Sequence, residues 1–179
     1  MKTETDIPID GLLEQKPAAC ERLLAEYGPV VFRMVQRIVP RLEDAEEVYQ
    51  EVFVKALRGI GTFDPQKATL NTWLCRIAYN ESFNFVRRRK PNLVFMDDSK
   101  LGTESLEVPE DAPFDEETVA LLNRALTLLP PHEQAIISMF YYEERSLADI
   151  AYITNSIPST IASRLSRIRK KLYRIIKNA

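Results

Sequence analysis

Between Ile150 and Ala179 the chain has no acidic residue, and seven basic ones occur there: Arg164, Arg167, Arg169, Lys170, Lys171, Arg174 and Lys177. The formal charge of the whole chain is −2, so this concentration of cations needs a polyanionic partner, and DNA phosphate is the obvious one. The side chains are of two useful kinds. Ser159, Thr160, Ser163 and Ser166 are small and hydroxylated and allow close approach to base edges. Arg164, Arg167 and Lys170 can grip phosphate, and arginine can also pair bidentately with guanine. A second basic set interleaves with aromatics and amides: Arg76, Tyr79, Asn80, Phe83, Asn84, Arg87 and Arg88. Rings that stack and amides that read edges suit unpaired bases. Trp73, Phe83 and Phe85 could equally be core, and for Trp73 the core is the preferred reading. Asp44, Glu47, Gln50 and Glu51 form a dense acidic and amide face of their own.

Catalytic chemistry has little to stand on. The single histidine, His132, follows Pro130-Pro131 at an expected helix start and reads as a surface or capping residue. No metal-ligand cluster, phosphate-binding glycine loop or nucleophile–base pair is evident in the sequence, so neither an enzyme nor a cofactor is expected. Cys20 and Cys75 lie in apolar helical patterns without a CxxC spacing and are expected to be buried, reduced thiols.

These residues must be positioned by helices. In the basic segment Ile161, Leu165, Ile168, Leu172 and Ile175 recur at alternating steps of four and three, one apolar stripe facing a core. Ser146-Leu147-Ala148-Asp149 reads as a capping box opening a short helix through Thr154. Asn155 then stands where a helix-turn-helix needs a left-handed residue, and Glu144 stands where another turn glycine is expected. The second helix of such a motif enters the major groove while the first lies across the backbone. Upstream, residues 17–39 show helical periodicity, with a kink or break expected at Pro29. Asp44-Ala45-Glu46-Glu47 reads as a capping box opening a second helix that Gly59 and Gly61 stop, and Leu70 to Arg89 is a third. Further helices are expected from about residue 115 and after Pro130-Pro131.

Charge divides the chain more clearly than its average does. Residues 1–90 hold 14 basic and 13 acidic groups, residues 91–117 one and nine, and residues 118–179 nine and four. The expected architecture is therefore all-α: a flexible N-terminal segment (1–16), a helical bundle (17–90), a flexible acidic linker (91–114) and a helix-turn-helix domain (115–179). No apolar run approaches the length of a membrane span and no signal core opens the chain, so a soluble, cytoplasmic protein is expected.

Asp44-Ala45-Glu46-Glu47 through Gln50-Glu51-Val52-Phe53, then Thr72 to Asn80, then Arg87-Arg88-Arg89, resembles region 2 of bacterial RNA polymerase sigma factors. Leu128-Leu129-Pro130, Ile150-Ala151 and Ser163-Arg164-Leu165 resemble region 4. Both in this order, with so short a connection, resemble the extracytoplasmic-function (ECF) class of the sigma-70 family, over about residues 18–90 and 115–176. The resemblance implies a subunit that binds core RNA polymerase and directs promoter-specific initiation. Asp44, Glu47, Gln50 and Glu51 would meet the β′ clamp helices, and the C-terminal domain the β flap. Phe63, Lys67, Asn71, Arg76, Asn80, Asn84, Arg87 and Arg88 would open and capture the single-stranded −10 element. Ser159, Thr160, Ser163, Arg164, Ser166, Arg167 and Lys170 would read duplex −35 DNA. An anti-sigma factor is implied as a further partner. A free-standing helix-turn-helix regulator, dimeric on a palindrome, is the alternative.

Overall fold

The computed structural model describes residues 7–89 and 116–178, and their regular elements are all helical. Helix α1 spans Ile9–Leu13, α2 Pro17–Ile38, α3 Leu42–Gly59, α4 Leu70–Arg89, α5 Glu116–Thr127, α6 Pro131–Tyr141, α7 Leu147–Ile153 and α8 Pro158–Lys177. A short 3-10 turn, Ile60–Thr62, follows α3. The chain is all-α, with α1–α4 in one helical domain and α5–α8 in a second. The acidic segment 91–114 lies outside the described residues.

Periodicity explains the long helices. In α2, Leu23, Tyr27, Val31, Met34, Val35 and Ile38 are buried on one side, against α3 and α4. Pro29 does not break the helix, which runs on to Ile38. Pro29 and Ala25, the residue whose carbonyl loses its hydrogen-bond donor, are both exposed, so water can donate to that carbonyl instead. Helix α3 starts at Leu42, before the expected capping box. Arg41, with φ −76° and ψ 124°, is the residue before its first turn and makes no side-chain cap. Asp44 is therefore inside the first turn with Glu43, where carboxylates meet the positive end of the helix dipole. Within the stretch expected to be a flexible N-terminal segment, residues 7–16 pack on the domain. Ile7 and Leu12 are buried, and α1 approaches α2 so closely that a Cβ on Gly11 would lie 3.1 Å from that of Ala19.

Among the described residues three hold positive φ, and none is glycine: Gln15 (51°), Glu144 (51°) and Asn155 (55°). The Asn155 turn closes α7 with Ser156 N donating to Ala151 O at 2.8 Å and Asn155 N to Tyr152 O at 3.4 Å, a Schellman pattern. In the second domain the α8 stripe of Ile161, Leu165, Ile168 and Leu172 is buried, with Ile136, Met139, Ile150 and Ile153 in the same core. The domains meet directly, α7 on α4 and α6 on α2. Cys75 is buried and Cys20 only half-buried, and neither is in a disulfide. No helix among the described residues is long and apolar enough to cross a membrane.

Candidate nucleic-acid interface

The α7–α8 pair has the geometry of a helix-turn-helix built from its own caps. Asp149 N donates to Ser146 Oγ at 3.1 Å, the N-cap half of the expected box, while the Asp149 carboxylate accepts at Oδ2 from the Ser146 hydroxyl at 2.5 Å. Pro158 opens α8, where its missing N–H costs nothing. With one side of α8 buried, Ser159 and Ser163 are exposed, and Thr160, Arg164, Ser166, Arg167 and Lys170 are half-buried on the flanks. Ser163 Oγ donates to the Ser159 carbonyl at 3.0 Å and keeps its lone pairs as acceptors. Lys171 is employed differently: its Nζ meets Glu133 Oε2 at 2.9 Å, tying α8 to α6.

Helix α4 begins at a Thr69 cap, with Thr72 N donating to Thr69 Oγ1 at 3.2 Å. Ahead of it Phe63 packs edge-on against Trp73 at 5.7 Å between ring centroids, and exposed Lys67 pairs with Asp64 at 3.4 Å. Asn80, Asn84, Arg87 and Arg88 are exposed, while Asn71 and Arg76 are half-buried. At 3.6 residues per turn, Arg76, Asn80, Asn84 and Arg87 share one side of the helix. Arg87 Nη2 donates to Asn84 Oδ1 at 3.2 Å. Of the aromatics, Phe83 and Phe85 are buried in the core, and so is Trp73, as expected. Tyr79 packs on Phe83 at 4.6 Å, and burial pushes its hydroxyl up to about 12 against the opposing charge of Arg164.

On α3, Glu47, Gln50 and Glu51 are exposed, and Asp44 is not. Asp44 Oδ2 receives Arg89 Nη1 at 2.6 Å, joining the start of α3 to the end of α4. Glu51 meets Lys55 at 3.8 Å, and Lys55 reaches Glu81 of α4 at 2.6 Å. Gln50 borders a groove of about 610 Å³ between α2 and α3, lined also by Leu24, Pro29, Phe32 and Tyr49.

A further cluster of polar side chains, not anticipated from the sequence, lies between the domains. Arg145, on the turn before α7, donates from Nη2 to Asn71 Oδ1 and to Cys75 Sγ, both at 3.0 Å. Its Nε donates to Glu143 Oε2 at 2.7 Å, and Glu143 also binds Arg37 of α2. Thr72 Oγ1 donates to Asp149 Oδ1 at 3.2 Å. Arg76 Nη2 donates to Asn155 Oδ1 at 3.1 Å and lies over the Tyr152 ring at 4.7 Å. Burial alone pushes the Glu143 carboxyl up, but the hydrogen bonds and charges of Arg145 and Arg37 outweigh it, and the carboxyl stays below its ordinary range. Burial dominates at Cys75 and pushes its thiol up to about 11 despite Arg145 beside it. Of these residues the sequence marks Asn155 only as a turn and Arg76 and Asn71 only as base contacts. Partners some 70 to 106 positions apart leave no periodic trace.

The family model Sigma-70 region 2 matches residues 23–91, and that of Sigma-70, region 4 matches residues 120–172. The chain is 28% identical over 162 residues to the ECF RNA polymerase sigma factor SigW of Bacillus subtilis, covering 85% of this chain and 86% of that protein. It is 31% identical over 159 residues to the ECF RNA polymerase sigma-E factor of Haemophilus influenzae, covering 84% and 83%. Among solved structures, its fold is similar to CnrH in complex with the cytosolic domain of CnrY, with a TM-score of 0.64 at 18% identity over 95% of each chain. It is also similar to RpoE in complex with the anti-sigma factor NepR from Bartonella quintana, with a TM-score of 0.61 at 22% identity over 88% of this chain and 96% of that one.

Proposed function

The chain belongs to the sigma-70 family, in its ECF class, and from that membership we propose how its residues divide the work of promoter recognition. As a sigma factor it binds core RNA polymerase and directs initiation at specific promoters. The division of labour follows the two domains, residues 17–90 and 115–179, with 91–114 as the connection. The α8 residues Ser159, Thr160, Ser163, Arg164, Ser166, Arg167 and Lys170 read duplex −35 DNA from the major groove. The loop residues Phe63 and Lys67 and the α4 residues Asn71, Arg76, Asn80, Asn84, Arg87 and Arg88 hold the melted −10 strand. Since Phe83 and Phe85 are core, amides, guanidiniums and Tyr79 carry that contact. Glu47, Gln50 and Glu51 dock on the β′ clamp helices, and the C-terminal domain meets the β flap.

The supporting observation is the pair of sigma-70 matches, in order, on two helical domains, the second presenting a helix with seven cations in its acid-free C-terminal stretch. Control by an anti-sigma factor is part of the reading, since the RpoE relative was solved bound to one. The test is run-off transcription with purified core polymerase on genomic promoter fragments. Discrete start sites that require both components are expected. No start sites, together with polymerase-independent binding to a palindrome, would instead identify a free-standing regulator.

A further inference from the structure

We propose that Ile157, at the head of α8, is a further specificity-determining residue that reads the 5-methyl group of a thymine in the −35 element. The inference rests on the sigma-factor reading of α8 and deepens it. It assigns a base chemistry to a residue outside the hydroxyl and cation set already placed on the DNA.

Ile157 is a large aliphatic side chain left 61% exposed. A lone exposed aliphatic is ordinary on a protein surface, but the position of this one is not. It is the N-cap of α8, where Ser, Thr, Asp or Asn would accept a hydrogen bond from the first turn and isoleucine cannot. No side-chain cap forms there, whereas Ser146 caps α7. A local rule of stability is thus broken at the end of the helix that meets DNA, and an aliphatic group at 157 serves contact better than it serves the fold.

The backbone presents this side chain rigidly. Pro158 follows it and holds it extended, with φ −116° and ψ 152°. Its carbonyl accepts from Ile161 N at 3.2 Å, so the residue is tied into the helix. Branching at Cβ limits χ1, and little freedom remains to lose on binding. The first turn of the second helix is the part of a helix-turn-helix that meets base edges. An uncharged edge continues from it. Pro158 and Ala162, four residues apart, are exposed on one flank of α8, while helical geometry puts Arg164 and Arg167 on the other. Side chains without donors, acceptors or charge cannot pair with the polar groups of a base. Thymine alone among the bases offers an apolar group in the major groove, its 5-methyl. The seven cations of the same acid-free stretch supply the attraction to the duplex that this edge lacks.

Replacing a thymine by deoxyuridine removes the methyl and leaves the pairing edge intact. The −35 thymines of a promoter found by run-off transcription are replaced one at a time. Each template then competes with the unmodified one for the full-length chain and core polymerase. With the parent chain, loss of one methyl is expected to lower initiation about fourfold, the factor for about 0.8 kcal/mol per buried group of that size. Ile157→Ser introduces a capping hydroxyl, so its thermal midpoint is expected to rise, while its sensitivity to that methyl is expected to vanish. Ile157→Val keeps a branched apolar side chain and is expected to keep most of the sensitivity. A −35 element without thymine, or one whose every methyl can be removed without loss in the parent chain, overturns the inference and leaves the sigma reading intact. So does a methyl dependence that is the same in Ile157→Ser as in the parent. No transcript from any unmodified fragment refutes the sigma reading itself, and the inference falls with it.

Discussion

Arg167 shows what a single side chain can contribute here. It lies two turns into α8, flanking the buried stripe and close enough to the N-terminal turns to reach a base edge. Arg167→Ala is expected to cost about 1–3 kcal/mol of promoter discrimination if the guanidinium contacts a base. Competition between paired promoter templates in run-off transcription measures it, and unchanged selectivity would remove Arg167 from the reading surface. On α3, Glu47→Lys and Gln50→Ala are each expected to weaken binding to core polymerase with helix content unchanged, because both side chains are exposed and support no core. Competition against a labelled sigma factor for core polymerase checks this, and normal affinity in both would move the interface elsewhere. Asp44 is the weaker member of that set, since its carboxylate already holds Arg89.

At the scale of elements, capping and crowding decide stability. Ser146→Ala removes the acceptor for Asp149 N at the start of α7 and is expected to cost about 1 kcal/mol, read from thermal unfolding. Gly28 sits inside α2, where a Cβ would stand 2.7 Å from the Tyr49 hydroxyl oxygen. The Tyr49 ring is held edge-on between Phe32 and Phe53 and cannot swing aside freely. Gly28→Ala is therefore expected to lower the midpoint in the parent chain. In a Tyr49→Phe background the nearest ring carbon is 3.8 Å away, and the same change is expected to stabilise by up to about 1 kcal/mol through helix propensity. An equal effect in both backgrounds would show that the hydroxyl is not the obstacle. The α8 stripe, α4 to its basic end and the Ser146 cap were legible in the sequence. Two local signals misled. Asp44-Ala45-Glu46-Glu47 has the composition of a helix start, yet the chain turns helical two residues earlier, directly after Arg41. Helix α1, five residues long, is too short to show a period, and only its packing on α2 reveals it. Aromatic spacing on α4 could not separate stacking surface from core, because Phe83 sits between positions that face solvent and positions that face α2 and α3.

For the whole molecule, the arrangement of the domains was the part the sequence did not contain. It depends on side-chain pairs between distant segments, and its sensitivity to pH follows from the group at the centre. Glu143 is faced by Arg145 from its own turn, Arg37 from α2 and Cys75 from α4, with Asp149 close to Arg145. Its carboxyl titrates below the ordinary 4.5 when the domains are closed. A depressed value means that its contribution to closure is fully present above about 4.5 and is lost as pH falls through the lower, closed-state value. The radius of gyration from solution scattering is the measurement. Expansion on acidification below the ordinary carboxylate range is expected in the parent chain and is expected to be reduced in Glu143→Gln, which has no carboxyl to protonate; equal expansion in both would remove Glu143 as the titrating group. The Asp44–Arg89 pair has a consequence of another kind. One carboxylate at the head of α3 neutralises one cation at the tail of α4. Any partner cation that takes over Asp44 returns Arg89 to the basic end of α4, and any phosphate that takes over Arg89 returns Asp44 to the docking surface. By thermodynamic reciprocity each of these events must then favour the other to the same degree. On the proposed division of labour, exchange of this one ion pair couples docking of α3 and engagement of the melted strand by α4 positively.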